Sequence, residues 1–158
     1  MKLTRSTLLA SALVLILLVS AACGAAQSAA DGSPAQAKAV VKAFVSAYEA
    51  KSAKNYLAVF DTDAIYSDAG RASIRNAGSM YVRDLQSAIA QTFQEPDFQF
   101  KVNSSFVSDD GRFAAIDGVY TDVGKDKKVV SVPMVILLEL RNGKIIHETD
   151  YYDGSPFE

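Results

Sequence analysis

"KKVVSVPMVILLEL", Lys127 to Leu140, is the stretch on which the fold turns. Val130, Val132, Met134, Ile136, Leu138 and Leu140 recur at every second position, and a period of two is the signature of a strand with one buried face. The other set, Val129, Ser131, Pro133, Val135 and Leu137, is mixed. A run this long and apolar demands a large partner surface. Pro133 cannot donate to a ladder, so an edge position or a bulge is expected there.

The neighbours of this run read as strands too. "RNGK" places Asn142-Gly143 in a hairpin turn, and "KIIHETDYYD" is then the last strand. Upstream, "RFAAIDGVYTDV" follows the Asp110-Gly111 turn, and "DFQFKVNSSF" alternates Phe98, Phe100 and Val102 against Gln99, Lys101 and Asn103. The last strand has no clean apolar side. His147, Thr149 and Tyr151 share one face, and Ile146, Glu148, Asp150 and Tyr152 the other.

The first half reads as helix. Ser33 and Pro34 form an N-cap and first-turn pair. Val40, Val41, Phe44, Val45 and Tyr48 then recur at helical spacing. A second helix fits Ala53 to Phe60. "DTDAIYSDAG" breaks the pattern and suggests a short strand ending at Asp68. A third helix is expected over Ser79 to Phe93, with Met80, Leu85, Ile89 and Phe93 on its apolar face, before Pro96 stops it. Three helices followed by four short-linked strands predict an α+β domain with the helices on one face of a mostly antiparallel sheet.

The amino terminus carries a different message. "MKLTR" is basic, "STLLASALVLILLVS" is apolar and short for a membrane span of about 20 residues, and small residues follow. Cys23, the single cysteine, has no disulfide partner within the chain. "VSAAC" resembles the lipobox of bacterial lipoproteins, although Ser20 stands where that family usually carries Leu, Val or Ile. The resemblance implies a signal peptide over residues 1–22, a lipidated Cys23 with a flexible linker over 23–34, and a folded domain over 35–158. It implies an extracytoplasmic protein anchored to the bacterial cell membrane. Ordinary secretion, with cleavage near Ala22 or Ala26, and an uncleaved anchor are the alternatives.

Composition narrows the function classes. The formal net charge is −2 and the only dense basic run is "KDKK", Lys125 to Lys128, so nothing supports nucleic-acid binding. His147 is the only histidine, and no His/Cys cluster suggests a metal. There is no Gly-rich phosphate loop, and no cofactor is expected.

The element order, "FDTDAIYSDAG" and the closing "GKIIHETDYYD" resemble the NTF2-like superfamily, and within it the SnoaL-like domains, over about Ala37 to Asp153. The resemblance implies a cone in which a strongly curved sheet wraps the helices around a pocket. It implies small isomerase, cyclase or dehydratase-type enzymes in some members and ligand or partner binding in others. In its steroid-isomerase members a carboxylate base ends the first strand, where this chain has Asp68. The tyrosine and acid donors of those enzymes match Phe44 and Ile136 here, and neither side chain can donate.

The expected reading is therefore a surface-anchored domain binding a small apolar or amphipathic molecule, or a protein partner, without chemistry. The alternative is a small enzyme using Asp68 or His147 as acid/base, with Asp117, Tyr120 and Asp150 as further candidates. The expected pocket lining is Phe44, Tyr48, Phe60, Tyr66, Met80, Tyr120, Ile136 and Tyr151. All seven tyrosines lie in the folded part, and tyrosine suits an apolar pocket that needs a hydroxyl handle. A homodimer is expected through the mixed outer face of the long strand.

Overall fold

The computed structural model describes residues 32–71 and 78–157. Cys23 and the segments read as signal peptide and linker as far as residue 31 lie outside the described residues. The first helix, α1, spans Pro34–Glu49. Ser33 caps it: its Oγ accepts the Gln36 N–H, and the Gln36 side chain accepts the Ser33 N–H. This reciprocal box satisfies two backbone donors that a helix start otherwise leaves unpaired. Ala37, Val40, Val41, Phe44 and Ala47 form its buried face. Helix α2, Ala53–Ala58, is capped by Ser52.

Six strands follow, with one more helix among them. They are β1 (Phe60–Asp68), β2 (Met80–Tyr81), β3 (Gln99–Val107), β4 (Phe113–Val123), β5 (Val129–Arg141) and β6 (Lys144–Tyr152). They form one sheet in the order β2-β1-β6-β5-β4-β3. The sheet is mixed, because β1 runs parallel to β6 while every other pair is antiparallel. The β5–β6 turn places Asn142 and Gly143 at φ of 52° and 70°, the left-handed geometry of a tight hairpin. No helix among the described residues is long and apolar enough to cross a membrane.

The α+β architecture with three helices is present, but three expectations need correction. The strongly curved cone is not found: the sheet is open and not strongly bent. Its longest ladder, β4 against β5, keeps register over eleven consecutive positions, from Phe113 opposite Glu139 to Val123 opposite Val129. Strong bending is introduced by bulges, and the irregularities lie elsewhere, at Phe60/Ile65, Val102/Ser104 and Glu139/Leu140.

The helix expected over Ser79 to Phe93 is broken into pieces. Met80 and Tyr81 pair with Tyr66 and Ile65 as β2, Val82–Asp84 is a 3-10 turn, and only Gln86–Thr92 is α-helix, α3. Pairing to the free side of β1 outweighs the helical preference of a short segment. Pro133 sits inside β5 with no bulge. Strand β6 ends at Tyr152 opposite Met134, the residue after Pro133, so the ladder stops one position short of Pro133 and needs no donor from it on that side.

The core lies between the helices and one face of the sheet. Phe44 is fully buried and packs edge-on or tilted against Tyr48, Tyr56 and Phe60 at 5.2, 5.3 and 6.2 Å between ring centroids. From β5, Val132, Met134, Ile136, Leu138 and Leu140 are buried, as the alternation requires. Burying a side chain of this size contributes about 1.5–3 kcal/mol.

Candidate functional site

Beyond the buried Ile145 and the register shift that follows it, the inward face of β6 carries Glu148, Asp150 and Tyr152 rather than apolar residues. Glu148 is 0% exposed and Asp150 4%, and Asp68 at the end of β1 is 5% exposed. Parallel pairing of β1 with β6 sets Asp68 directly opposite Asp150. Three buried carboxyl groups therefore gather at one place, and burial without compensation is costly.

Tyrosine hydroxyls supply most of that compensation. Tyr66 Oη donates to Asp150 Oδ2 at 3.0 Å and approaches Asp68 Oδ2 at 3.4 Å. Tyr152 Oη donates to Asp68 Oδ2 at 2.9 Å. Tyr56 Oη donates to Glu148 Oε2. Asp68 Oδ1 also accepts the backbone N–H groups of Gly70 and Arg71 at 2.8 and 3.0 Å, an Asx-type turn. One oxygen of Asp68 thus builds the turn that leaves β1, and the other faces the tyrosines.

Two oxygens are left over. Glu148 Oε1 and Asp150 Oδ1 are buried and accept no hydrogen bond from a hydroxyl or N–H group, and the two carboxyls are linked to each other by a side-chain hydrogen bond. Burial pushes the Glu148 carboxyl up to about 8, against the hydrogen bonds that lower it. Burial, and next the Glu148 charge, raise Asp150 well above the ordinary range. Tyr48, Tyr56 and Tyr66 are also raised, mainly by burial, so their phenols remain protonated donors.

Asp68, Asp150 and the tyrosines, with Glu148 behind them, border a cavity of about 260 Å³. Asp68, Asp150, Tyr66 and Tyr152 supply one wall, with Tyr48 and Tyr56 from the helices beside them. Met80, Leu85, Ile89, Phe93, Phe98, Phe100 and Met134 supply an apolar wall. Arg71, Tyr120 and Asp122 form a third group. Arg71 Nη2 donates to Tyr120 Oη at 3.0 Å, Tyr120 Oη donates to Asp122 Oδ2 at 2.7 Å, and the Arg71 guanidinium lies 5.5 Å from the Phe157 ring centre. An apolar cavity with few convergent polar groups is the usual form of a small-molecule site. The fold carries a ligand-binding or catalytic pocket.

The residues expected from sequence divide in two. Tyr48, Tyr66, Asp68, Met80 and Tyr120 line the cavity. Phe44, Phe60 and Ile136 lie in the core and are not part of the lining. Tyr151 is 48% exposed on the outer sheet face. Asp117 is exposed and accepts a hydrogen bond from Asn103 Nδ2 at 3.2 Å. His147 also points outward, with Nε2 3.0 Å from Ser67 Oγ. Glu148, Tyr56 and Arg71 were missed. The only sequence signal for Glu148 is its alternation with Asp150 and Tyr152 in "HETDYY", a pattern equally suited to a solvated face, and Tyr56 and Arg71 carry none. No group of three or more His, Cys, Asp or Glu side chains that could hold a metal ion occurs among the described residues.

A family model for the SnoaL-like domain matches residues 41–148. No curated protein matches the chain. Among solved structures, the chain is similar to a protein with a ketosteroid isomerase-like fold from Catenulispora acidiphila, determined in complex with trimethylamine. The identity is 20%, over 75% of this chain and 88% of that one, with a TM-score of 0.59. Bal32a, from a soil-derived mobile gene cassette, shares 21% identity over 75% and 90% of the two chains, with a TM-score of 0.63. An epoxide hydrolase of the LEH-like type from M. tuberculosis shares 16% over 78% and 86%, with a TM-score of 0.60. At these identities the likeness speaks for the fold. The family match spans more than half of the sequence, and the chain belongs to the SnoaL-like domain family, with the fold of the NTF2-like superfamily.

Proposed function

We propose that the pocket is a proton-transfer active site for a small, largely apolar molecule with one polar head, and that Asp150 moves the proton. The observation that carries this is the buried Glu148–Asp150 carboxyl pair, with Asp150 on the cavity wall and its Oδ1 accepting no hydrogen bond from a hydroxyl or N–H group. Asp68 is less suited to that task, because its two oxygens already receive two backbone N–H groups and the Tyr152 hydroxyl, with the Tyr66 hydroxyl close by. Its role is to hold Tyr66 and Tyr152 in place.

The chemistry follows from the geometry. A carboxyl whose proton is retained toward neutral pH can act as a general acid. With Tyr66 donating to Oδ2, the proton of neutral Asp150 is shared with Glu148 and passes from this pair to the bound molecule. Once it is given up, Tyr66 stabilises the carboxylate. Isomerisation and loss of water both need such a step. Two relatives support a pocket that takes small molecules: one holds trimethylamine and another is an epoxide hydrolase. His147 has no part in this reading, since it lies on the other face of the sheet.

The test is mass spectrometry of whatever copurifies with the protein, followed by turnover of that compound and its close analogues. Asp150→Asn should lower turnover by about a hundredfold or more with the fold intact. Unchanged chemistry in Asp150→Asn would sink the reading and return the domain to a binding role.

The proposal includes its location. Lipidation of Cys23, with a linker running up to the Ser33 cap of α1, would hold the domain at the outer side of a bacterial membrane. Pairing of two copies through the outer face of β5 fits the exposure of Val129, Val135 and Leu137, at 56%, 37% and 42%. Sedimentation of the folded domain at tens of micromolar tests the pairing.

A further inference from the structure

On the sheet face opposite the pocket, three strands bring a serine, a histidine and a glutamate into line. His147 on β6 is directly opposite Glu139 on β5 and opposite Ile65 on β1, two residues before Ser67. Ser67 Oγ lies 3.0 Å from His147 Nε2, and His147 Nδ1 lies 3.5 Å from Glu139 Oε1. Ser79 Oγ lies 2.8 Å from Ser67 Oγ on its other side. Thr149 Oγ1 is a second, longer neighbour of Nε2 at 3.3 Å. Beside Ser67 is a cleft of about 160 Å³, bordered by Ser67 to Ala69 and by Gly78 and Ser79.

We infer that Ser67 is a nucleophile, with His147 as its base and Glu139 as the group that orients the imidazole, in a second site that accepts short acyl groups from small esters. The inference is independent of the pocket reading, because no member of this row touches the cavity. The order of donors agrees with the role. In the proposed tautomer the ring proton sits on Nδ1, on the side of Glu139 Oε1 at 3.5 Å, which leaves Nε2 to accept from Ser67 while Ser79 donates to Ser67 Oγ. A nucleophile within hydrogen-bond reach of a base, itself oriented by a third group, is the arrangement that activates serine.

The step balances without an added reactant other than water. Ser67 Oγ bonds to the ester carbonyl carbon as its proton passes to His147 Nε2. The bond to the alcohol oxygen breaks and the alcohol leaves with that proton. Water then attacks the acylated Ser67, gives its proton to His147, and releases the acid as the proton returns to Ser67. The side chains of His147 and Glu139 are 30% and 50% exposed in the single chain, so an ester reaches the row from solvent wherever a second copy does not cover this end of the outer β5 face.

The probes are a fluorophosphonate, read by intact mass and peptide mapping, and p-nitrophenyl acetate, read as released nitrophenolate. The full chain should take up one phosphonyl group, on Ser67. Ser67→Ala should lose the label. His147→Gln should slow labelling by about a hundredfold. Glu139→Gln should slow it less, roughly tenfold, because an exposed charge is screened, and Glu139→Asp should recover part of the loss. Ser79→Ala should still be labelled on Ser67, and Asp117→Asn, at an exposed position away from the row, should be labelled at the wild-type rate. Thermal melting of each variant separates loss of reactivity from loss of fold. No label on the folded wild-type protein, label on a different residue, or undiminished labelling in folded His147→Gln would each overturn the inference.

Discussion

Tyr152 Oη donates to Asp68 Oδ2 across 2.9 Å, tying the last residue of β6 to the last residue of β1. The two strands are parallel, so this bond closes the end of the pair where the cavity wall is built. Gly154 sits at the same exit, where an added Cβ would fall 2.2 Å from the Gly70 carbonyl oxygen. Backbone contact and side-chain bond together fix the Asx turn and hold Asp68 beneath Tyr66.

Tyr152→Phe removes that bond and keeps the ring, which stacks against Tyr120 at 5.3 Å. Asp68 then keeps its two backbone donors and the longer Tyr66 contact. The expected loss is about 1.5–3 kcal/mol, as for a hydrogen bond to a charged group. Urea unfolding of the two proteins measures it. A difference below a few tenths of a kcal/mol would mean that the bond is not formed in solution.

Glu148 should make stability fall as pH rises. Its carboxyl is raised from 4.5 to about 8 in the folded protein, so between those values the native state holds a proton that the unfolded chain has released. Each pH unit in that window costs up to about 1.4 kcal/mol. The contribution is fully present below about pH 4.5 and is lost by pH 8. Glu148→Gln, which preserves an acceptor for Tyr56, should flatten the melting temperature across this range and exceed the wild-type stability at pH 8. Parallel melting profiles for both proteins would contradict the buried acid.

Phe44→Ala should be the most damaging of these single changes. Phe44 is fully buried between α1 and the aromatic cluster, and its removal leaves a void that Tyr48, Tyr56 and Phe60 cannot close without moving. Deleting a buried phenylalanine side chain typically costs about 3–5 kcal/mol. The same change should loosen Tyr56 and weaken ligand retention, which calorimetry on the wild-type ligand would register.

Cys23→Ser tests the proposed anchor. The variant should leave the membrane fraction of its bacterial host, and intact-mass measurement of the wild-type protein should find an acyl-bearing Cys23 as first residue. A mature chain starting near Gln27, with no lipid mass, would defeat it.

Local rules made part of this protein legible. The alternation of Val130 through Leu140 placed β5 and its core face, because period two does not depend on which strands lie alongside. Ser33-Pro34 marked the start of α1 and Asn142-Gly143 the β5–β6 hairpin, because capping and left-handed turns are satisfied within a few residues. Asp68 was found as the residue that ends β1.

Tertiary structure alone decided the rest. Whether β6 turns His147 or Asp150 inward cannot be read from a strand with no apolar side. The choice follows from its pairing with β5, where Leu138 and Ile136 are buried opposite Glu148 and Asp150. Two acids on the inner face of a strand are tolerable only because Tyr56 and Tyr66, 92 and 84 residues away in the chain, bring hydroxyls to them. The helical period over Ser79 to Phe93 was likewise overruled by the free edge of β1, which took Met80 and Tyr81 as a strand. Burial makes a charge expensive until a distant partner arrives, and the distance between such partners along the chain is what hides a site of this kind from its sequence.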